Sequence, residues 1–214
     1  GQRSDLCTSF IAKKSPQFAN GEIYHVYNRG VEKRAIVLDN NDRFRFIQCL
    51  YELNDRNASI SSNKKSNRDA RSQYGSSPST EIRSLYMMER GKRDPLVEIL
   101  CWCLMPNHFH LMVRQRLDGG VSSFMQKLGI GYTSTFNKKY DRAGVLLQGQ
   151  FKAVHVNREA YFFYLPYYIH LNPVELYDRR WKKGGVRDIR GATQYLVRYR
   201  WSSYRDYIGQ KGFP

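Results

Sequence analysis

The stretch LVEILCWCLMPNHFHLMV, residues 96–113, decides the fold. Its two apolar segments, 96–104 and 108–113, are separated by a short turn, and this pattern predicts a β-hairpin. Two histidines interrupt the second segment, although an imidazole is a poor filler of a hydrophobic core. Side chains two residues apart in a strand point to the same face. His108 and His110 therefore share one face, and the apolar residues between and after them face a core.

The hairpin is flanked by elements that alternate between strand and helix patterns. The predicted elements are a strand at 22–29, a helix that Asp39 to Asp42 can cap, the two hairpin strands, a helix at 120–140 with six apolar residues on one face, a strand at 149–157 and a helix at 158–173. The order β-α-β-β-α-β, followed by one more helix, is that of a ferredoxin-like split βαβ fold. We therefore predict an α+β protein with an antiparallel sheet and an added C-terminal helix that carries tyrosines.

Composition divides the chain into a main domain and three flanking or inserted segments. Residues 1–20 are predicted to form an N-terminal arm, and 21–176 the main domain. An insertion at about 57–95 begins with Ser, Asn and Arg and has almost nothing to bury, so we expect it to be mobile. Residues 177–214 form a basic, aromatic C-terminal tail.

The charge of the chain is strongly positive. Lys and Arg number 35 against 19 Asp and Glu, which gives a net charge of +16 and a pI near 9.8. Basic residues mixed with 14% aromatic residues suit single-stranded nucleic acid, because phosphates attract charge and unstacked bases need flat faces. A well-solvated basic surface without a partner is the alternative.

Membrane and secreted classes are disfavoured by the sequence. No apolar run reaches the ~20 residues of a membrane helix, and no signal peptide is recognisable. The four cysteines lack the spacing of a disulfide framework, which indicates reduced thiols in a cytoplasmic protein.

The histidine pair is a candidate metal site, because two imidazoles on one face can share a divalent ion. The sequence does not determine the register of the hairpin, so a zinc site that includes two cysteines is an alternative. A two-residue loop at Met105–Pro106 would place Cys103 opposite His108 and Cys101 opposite His110, forming a tetrahedral zinc site. A three-residue loop would turn the thiols to the other face. Two partly buried structural histidines are the third interpretation.

The helix at 158–173 supplies possible partners for the histidines. Residues four apart share a helix face, so Tyr164, Tyr168 and Asn172 form one stripe. An amide oxygen is a suitable ligand for Mg²⁺ or Mn²⁺, and a phenol next to a metal can attack phosphorus as a covalent nucleophile. Amphipathic packing is the alternative role for most tyrosines of this helix.

Several motifs resemble one family. CLMPNHFHLMV (103–113) resembles the HUH motif of single-tyrosine, insertion-sequence-200-like transposases, and YYIHLNPV (167–174) resembles their tyrosine helix. The segments YHVYNRG (24–30), LLQGQFKAV (146–154) and WSSYRDYIG (201–209) are similar to the branch called REP-associated tyrosine transposases.

The resemblance implies a function. Members of this family cut single-stranded DNA near imperfect hairpins, form a 5′-phosphotyrosine and release a 3′-OH, using a divalent metal and no nucleotide cofactor. By position, His108, His110 and Asn172 are the implied metal ligands and Tyr168 the implied nucleophile. Tyr167 points about 100° away from Tyr168 round a helix.

Two further interpretations concern the tyrosine and the histidine nearest to this set. Tyr164-x-x-x-Tyr168 is also the spacing of two-tyrosine HUH replication enzymes, and we expect Tyr164 to pack or to stack on bases. His25 lies in the first strand; we interpret it as a core histidine, and a place in the lining of the site is the alternative.

Basic and polar side chains elsewhere are candidates for DNA contact. The residues predicted to contact DNA are Asn28, Arg29, Lys152, Arg158, Arg179, Arg180, Lys182 and Lys183. For Asn28 and Arg29, at the end of the first strand, a role in the turn is an equal alternative. We expect the partner to be single-stranded DNA with a REP-like hairpin, bound by a monomer in the bacterial cytoplasm at the nucleoid. The alternative is a protein that binds hairpin nucleic acid without cutting it.

Overall fold

The computed structural model describes residues 16–58 and 93–213. Most of the predicted N-terminal arm and most of the predicted insertion at 57–95 lie outside the described residues.

The centre of the fold is a four-stranded antiparallel sheet. Its strands are β1 (Ile23–Arg29), β2 (Val97–Leu104), β3 (His108–Gln115) and β4 (Lys152–His155), arranged in the order β2-β3-β1-β4. This is the ferredoxin-like arrangement, so the predicted fold class is confirmed. β4 is shorter than the predicted strand at 149–157.

Two helices cover one face of the sheet and form the main core with it. They are α1 (Asn40–Glu52) and α2 (Gly120–Lys139). Asp39 caps α1 through a reciprocal capping box with Asp42, as the sequence suggested. Phe46 of α1 packs between Phe109 of β3 and Tyr132 of α2, with ring centroids 5.1 and 5.0 Å away. Phe109, the residue between the two histidines, therefore faces this core with Leu111 and Val113.

The opposite face carries the tyrosine helix, α3 (Glu159–Leu171), which packs mainly on β2 and β3. Leu165 and Ile169 of α3 are buried against Cys101, Cys103 and Met112 of the sheet. This second, smaller core fixes α3 on the face that carries the histidine pair.

The C-terminal segment after α3 is packed in part against the domain. Its helices are α4 (Val174–Tyr177), α5 (Trp181–Gly184), α6 (Ile189–Arg198) and α7 (Tyr204–Tyr207). The amide of Leu104 donates to the carbonyl of Trp201 at 2.8 Å, and the amide of Ser203 donates to that of Trp102 at 3.0 Å. These bonds satisfy part of the outer edge of β2, which would otherwise be open to pairing with another chain.

Within the described ranges, the chain has no helix that is both long and apolar enough to cross a membrane.

Protonation of a buried histidine should destabilise the fold in acid. Burial lowers the pKa of His170 from 6.5 to about 4, and its Nε2 lies 2.8 Å from the hydroxyl of Ser203. Because the folded-state pKa lies below the unfolded value, the unfolded chain binds more protons between these two values. Stability is therefore complete above about pH 6.5 and falls as the pH drops towards 4, by on the order of 3 kcal/mol from this group.

Urea unfolding from pH 7 to pH 4 measures this loss. His170→Gln should flatten the pH dependence relative to the wild type. Ser203→Ala is the matched control, because it removes the hydroxyl and keeps the imidazole, so it should lower stability while a pH dependence remains. An unchanged slope in His170→Gln would contradict the prediction.

Candidate metal and tyrosine site

The histidine pair lies on β3, on the face turned away from the main core. His108 is half-buried, His110 is buried, and their ring centroids are 5.1 Å apart. Across the sheet they pair with Arg29 and Tyr27 of β1. The strand geometry inferred from the sequence thus holds for both side chains.

Each histidine uses one ring nitrogen for a neighbouring side chain. His108 Nδ1 lies 2.7 Å from Oδ1 of Asn107, and His110 Nδ1 lies 2.9 Å from Nε2 of His25. The remaining nitrogen of each ring is Nε2. This pattern, in which one nitrogen meets a supporting side chain and the other is left for a ligand, is typical of histidines that bind metals.

Asn172 closes the site from the end of α3. Its side-chain NH₂ donates to the carbonyls of Tyr168 at 2.8 Å and Ile169 at 3.3 Å, so the amide is oriented by the helix itself. Asn172 is buried, and its side chain is hydrogen-bonded to His108. The structure therefore brings the Asn172 oxygen to His108, and a metal bound between the two side chains would take the place of their hydrogen bond.

Burial dominates the electrostatics of the three histidines. It lowers the pKa of His25 to about 3 and that of His110 well below the usual value. The pKa of His108 is also lowered, mainly by burial and against the opposing hydrogen bond to Asn172. The imidazoles are therefore neutral at pH 7, which is the form that binds metals.

Of Tyr164, Tyr167 and Tyr168, the candidates on α3, Tyr168 is the one whose ring meets the histidines. Its ring centroid lies 5.5 Å from that of His110 and 5.8 Å from that of His25, both edge-on. Tyr164 lies one turn earlier, with its ring 6.3 Å from Tyr168, and it is 45% exposed. Tyr167 is 69% exposed. The structure thus brings Tyr168 together with His108, His110 and Asn172.

The zinc alternative is wrong. The hairpin turns at Pro106–Asn107, one residue later than that site required, so Cys103 pairs with His110 and Cys101 with Met112. Across residues 16–58 and 93–213, no group of three or more His, Cys, Asp or Glu side chains is arranged to hold a metal ion. Burial raises the pKa of Cys101 to about 12, so its thiol is a packing group beneath α3.

The predicted DNA-contact residues divide into exposed and buried. Seven of them are exposed: Arg29, Lys152, Arg158, Arg179, Arg180, Lys182 and Lys183. Lys152 of β4 pairs with Tyr27, which places it on the histidine face of the sheet. The charge of Lys182 acts on both His108 and His110, and Lys182 also pairs with Glu175 at 2.5 Å.

The contacts of Asn28 fit the turn role that was the alternative to DNA contact. Its side chain is buried and lies on the core face of β1, with Tyr24 and Val26, where it accepts from the amide of Arg29 at 2.8 Å and donates to the carbonyl of Gly149 at 3.4 Å. These contacts join the end of β1 to the loop before β4. The structure thus argues against direct DNA contact by Asn28.

Two supporting residues were not identified from the sequence, Asn107 and Tyr161, and the hydroxyl of Tyr161 lies 3.2 Å from Nδ1 of His25. His25 itself was a candidate for the lining of the site only as an alternative to a core role. The alternating pattern of β1 does place His25 on one face with Tyr27 and Arg29. Only the pairing of β1 with β3 shows that this is the face of His110.

The sequence from 70 to 172 matches the family model described as "Transposase IS200 like". This segment contains the histidine pair, Tyr168 and Asn172. The chain carries an IS200-like transposase domain. No curated protein matches the sequence significantly.

Two solved structures are similar to this chain. One is a REP-associated tyrosine transposase bound to a REP hairpin, which is 14% identical, with 95% of this chain and 89% of that chain covered and a TM-score of 0.54. Another is a Deinococcus radiodurans R1 protein whose assignment as a transposase is provisional, at 13% identity, 73% and 95% coverage and a TM-score of 0.34. The first similarity supports the fold alone, and the second superposition is too poor to compare sites.

Proposed function

We propose that this transposase domain is a metal-dependent endonuclease and strand transferase for single-stranded DNA near hairpins, and that it acts through a 5′-phosphotyrosine at Tyr168. The observation that carries the proposal is the meeting of two elements. α3 brings Tyr168 to within 5.5 Å of the His110 ring, and one turn later it brings Asn172 to His108. A purely structural histidine pair would need no such convergence.

The side chains fit a divalent metal. His108 Nε2, His110 Nε2 and Asn172 Oδ1 are the atoms that would hold it, because the other polar atom of each side chain already has a partner. Two neutral imidazoles and an amide oxygen are suitable ligands for Mn²⁺ or Mg²⁺, whereas a site built on thiols would favour zinc. Such an ion would polarise a phosphate oxygen and neutralise the charge that develops there.

The reaction uses one nucleophile and one leaving group. The hydroxyl oxygen of Tyr168 attacks the phosphorus of the scissile phosphodiester and forms a new P–O bond, while the bond from phosphorus to the 3′-oxygen breaks. A phenol is mostly protonated at neutral pH, so the hydroxyl proton leaves to water as the bond forms. The released 3′-oxygen takes up a proton and becomes a 3′-OH. The phosphotyrosine remains a diester, so a second 3′-OH can reverse the step and join strands.

Basic side chains near the site support a DNA substrate. Arg29 and Lys152 are exposed on the histidine face, and Lys182 is close enough to influence both histidines. Each can contact a phosphate, which would favour binding at low salt. The similar structure that is bound to a REP hairpin makes a hairpin the first substrate to try.

The remaining parts of the proposal follow from this chemistry. Transesterification stores the bond energy in the phosphotyrosine, so no nucleotide cofactor is required. We expect a monomer that acts in the bacterial cytoplasm at the nucleoid, where its DNA substrate is found. Sedimentation of the pure protein measures whether it is a monomer.

Covalent capture of DNA tests the proposal. The protein is incubated with Mn²⁺ and single-stranded hairpins labelled at the 3′ end, the part that a 5′-phosphotyrosine retains. The hairpins are taken from the DNA that flanks its own gene, and the products are separated on a denaturing gel. A labelled band at the mass of protein plus DNA is expected, and EDTA should remove it. Tight binding of these hairpins with no adduct would favour the alternative of a protein that binds hairpin DNA without cutting it.

A further inference from the structure

A line of three side chains, two of them buried, runs outward from the candidate metal site. It joins three elements: His110 on β3, His25 on β1 and Tyr161 on α3. The His110 and His25 nitrogens are 2.9 Å apart, and His25 Nδ1 is 3.2 Å from the Tyr161 hydroxyl. The two imidazoles are stacked, with centroids 5.1 Å apart and ring planes at 26°. Both are at least 94% buried, since their exposed fractions are 5% and 6%.

The line can be hydrogen-bonded in two directions, because each neutral imidazole has one donor and one acceptor nitrogen. In the first, His110 Nδ1–H donates to His25, and His25 Nδ1–H donates to the oxygen of Tyr161. His110 Nε2 then keeps its lone pair. In the second, the Tyr161 hydroxyl donates to His25, and His25 donates to His110. His110 Nε2 then carries a proton and cannot bind a metal.

We propose that His25 and Tyr161 are positioning residues that hold His110 in the first arrangement, with Nε2 aimed at the metal. This inference rests on the metal centre of the proposed function. The supporting residue of a metal-bound histidine fixes both its tautomer and its ring orientation. Here that residue is a second histidine, whose other nitrogen is supported by a tyrosine.

Mn²⁺ affinity measured by electron paramagnetic resonance tests this role without DNA or turnover. His25→Phe keeps an aromatic ring but has no acceptor, and it should weaken Mn²⁺ binding by about 10- to 100-fold. His25→Gln can accept from His110 and donate to Tyr161, so it should restore most of the affinity. Tyr161→Phe should give a smaller loss. Its matched control is Tyr207→Phe, which removes a hydroxyl bonded to the carbonyl of Leu100.

The outcomes separate this inference from the proposed function. Nitrogen NMR of the Mg²⁺-loaded wild type should show the proton of His110 on Nδ1, and a proton on Nε2 would overturn the inference. Wild-type affinity in a folded His25→Phe protein would also overturn it, while the metal site itself would stand. If His25→Phe does not fold, Tyr161→Phe compared with Tyr207→Phe decides instead. A wild type that binds no Mn²⁺ would disprove both the metal site and this role.

A separate observation concerns the outer surface of α3. Phe163, Tyr164 and Tyr167 are 60%, 45% and 69% exposed. Successive side chains of a helix are rotated by ~100° about its axis. Going round α3 from Tyr168, the side chains of Tyr164, Tyr167 and Phe163 therefore come next in that order, at intervals of about 40–60°. We call these three exposed residues the aromatic surface. It extends from the proposed nucleophile towards solvent.

The chemistry around the aromatic surface indicates its occupant. Clustered exposed aromatic side chains mark interaction sites. Exposed Arg158 stands at the start of α3, exposed Lys152 lies on the histidine face of β4, and the whole chain carries a charge of +16. Flat rings flanked by cations are suited to unpaired bases and their phosphates. A single DNA strand whose scissile phosphate lies at Tyr168 would place the neighbouring bases against α3.

We infer that the aromatic surface stacks unpaired bases beside the scissile phosphate, which deepens the proposed function by naming where the single strand runs. The double variant Phe163→Ala/Tyr167→Ala should bind a single-stranded oligonucleotide about 5- to 100-fold more weakly in fluorescence anisotropy. The salt dependence should stay unchanged, because no phosphate contact is lost. Phe163→Trp/Tyr167→Phe keeps the flat faces and should bind as the wild type does.

Controls distinguish stacking from general loss of apolar surface. Ile189→Ala removes a side chain that is 72% exposed on α6, and it should not change DNA binding. Wild-type affinity in the double alanine variant would overturn the inference. The inference would also be overturned if the wild type sediments as a dimer and the double alanine variant as a monomer. A second copy of the chain would then cover the aromatic surface. If the double alanine variant binds more weakly but the wild type forms no adduct, the role of the aromatic surface would be supported and the proposed nuclease activity would not.

Discussion

Replacing Tyr168 by phenylalanine should abolish covalent capture of DNA and reduce strand cleavage by at least about 1,000-fold, because the reaction loses its nucleophile. The ring packs edge-on against His110 and His25, and phenylalanine keeps that packing. Folding and Mn²⁺ affinity should therefore stay close to those of the wild type. The denaturing-gel assay measures the adduct, and thermal unfolding confirms that the variant is folded.

The neighbouring tyrosines are matched controls for this variant. Tyr164→Phe and Tyr167→Phe each remove one hydroxyl from the same helix and should keep the adduct. An adduct that persists in Tyr168→Phe would identify another nucleophile. Tyr164 would then be the first candidate, because its ring lies beside Tyr168 at 6.3 Å.

Loss of a histidine ligand should have the second large effect. His110→Ala removes one proposed metal donor and leaves His25 without its partner. Mn²⁺ affinity should fall by more than about 100-fold, since removal of a supporting residue alone costs about 10- to 100-fold. The adduct should disappear, as it should when EDTA removes the metal from the wild type. Electron paramagnetic resonance and the gel assay measure the two losses.

The control for this variant is a histidine of the same sheet. His155→Ala changes β4, where His155 pairs with Glu22 at 2.7 Å and stacks on Tyr24, and it should bind Mn²⁺ as the wild type does. If His110→Ala does not fold, the half-buried His108 supplies a second test through His108→Ala. Full Mn²⁺ affinity in a folded histidine variant would show that the metal binds elsewhere.

Periodicity predicted the elements and much of the core. Six apolar residues at helical spacing in 120–140 are all buried in α2: Val121, Phe124, Met125, Leu128, Tyr132 and Phe136. The capping pattern at Asp39 and the hairpin at 96–113 are also present as predicted. Such features depend on local backbone geometry, so they can be inferred from neighbouring residues alone.

The register of the hairpin and the contacts between residues distant in the chain could not be predicted from the sequence. A turn one residue later than the zinc hypothesis needed moved Cys103 from His108 to His110, and α3 then buried both thiols. His25 was interpreted as a core histidine, yet its ring nitrogen lies 2.9 Å from His110, which is 85 residues away in the chain. Contacts of this kind depend on how strands and helices pack, which no local pattern records.

By itself the sequence determined the strand that places His108 and His110 on one face, the helical stripe of Tyr164, Tyr168 and Asn172, and the positive charge that suits DNA. Only the tertiary structure decided that these two elements meet. The packing of α3 on β2 and β3 brings Tyr168 to His110 and Asn172 to His108, and the pairing of β1 with β3 adds His25 behind them. The physical reason is that side-chain direction follows from local backbone geometry, whereas the distance between two elements follows from the packing of the whole core.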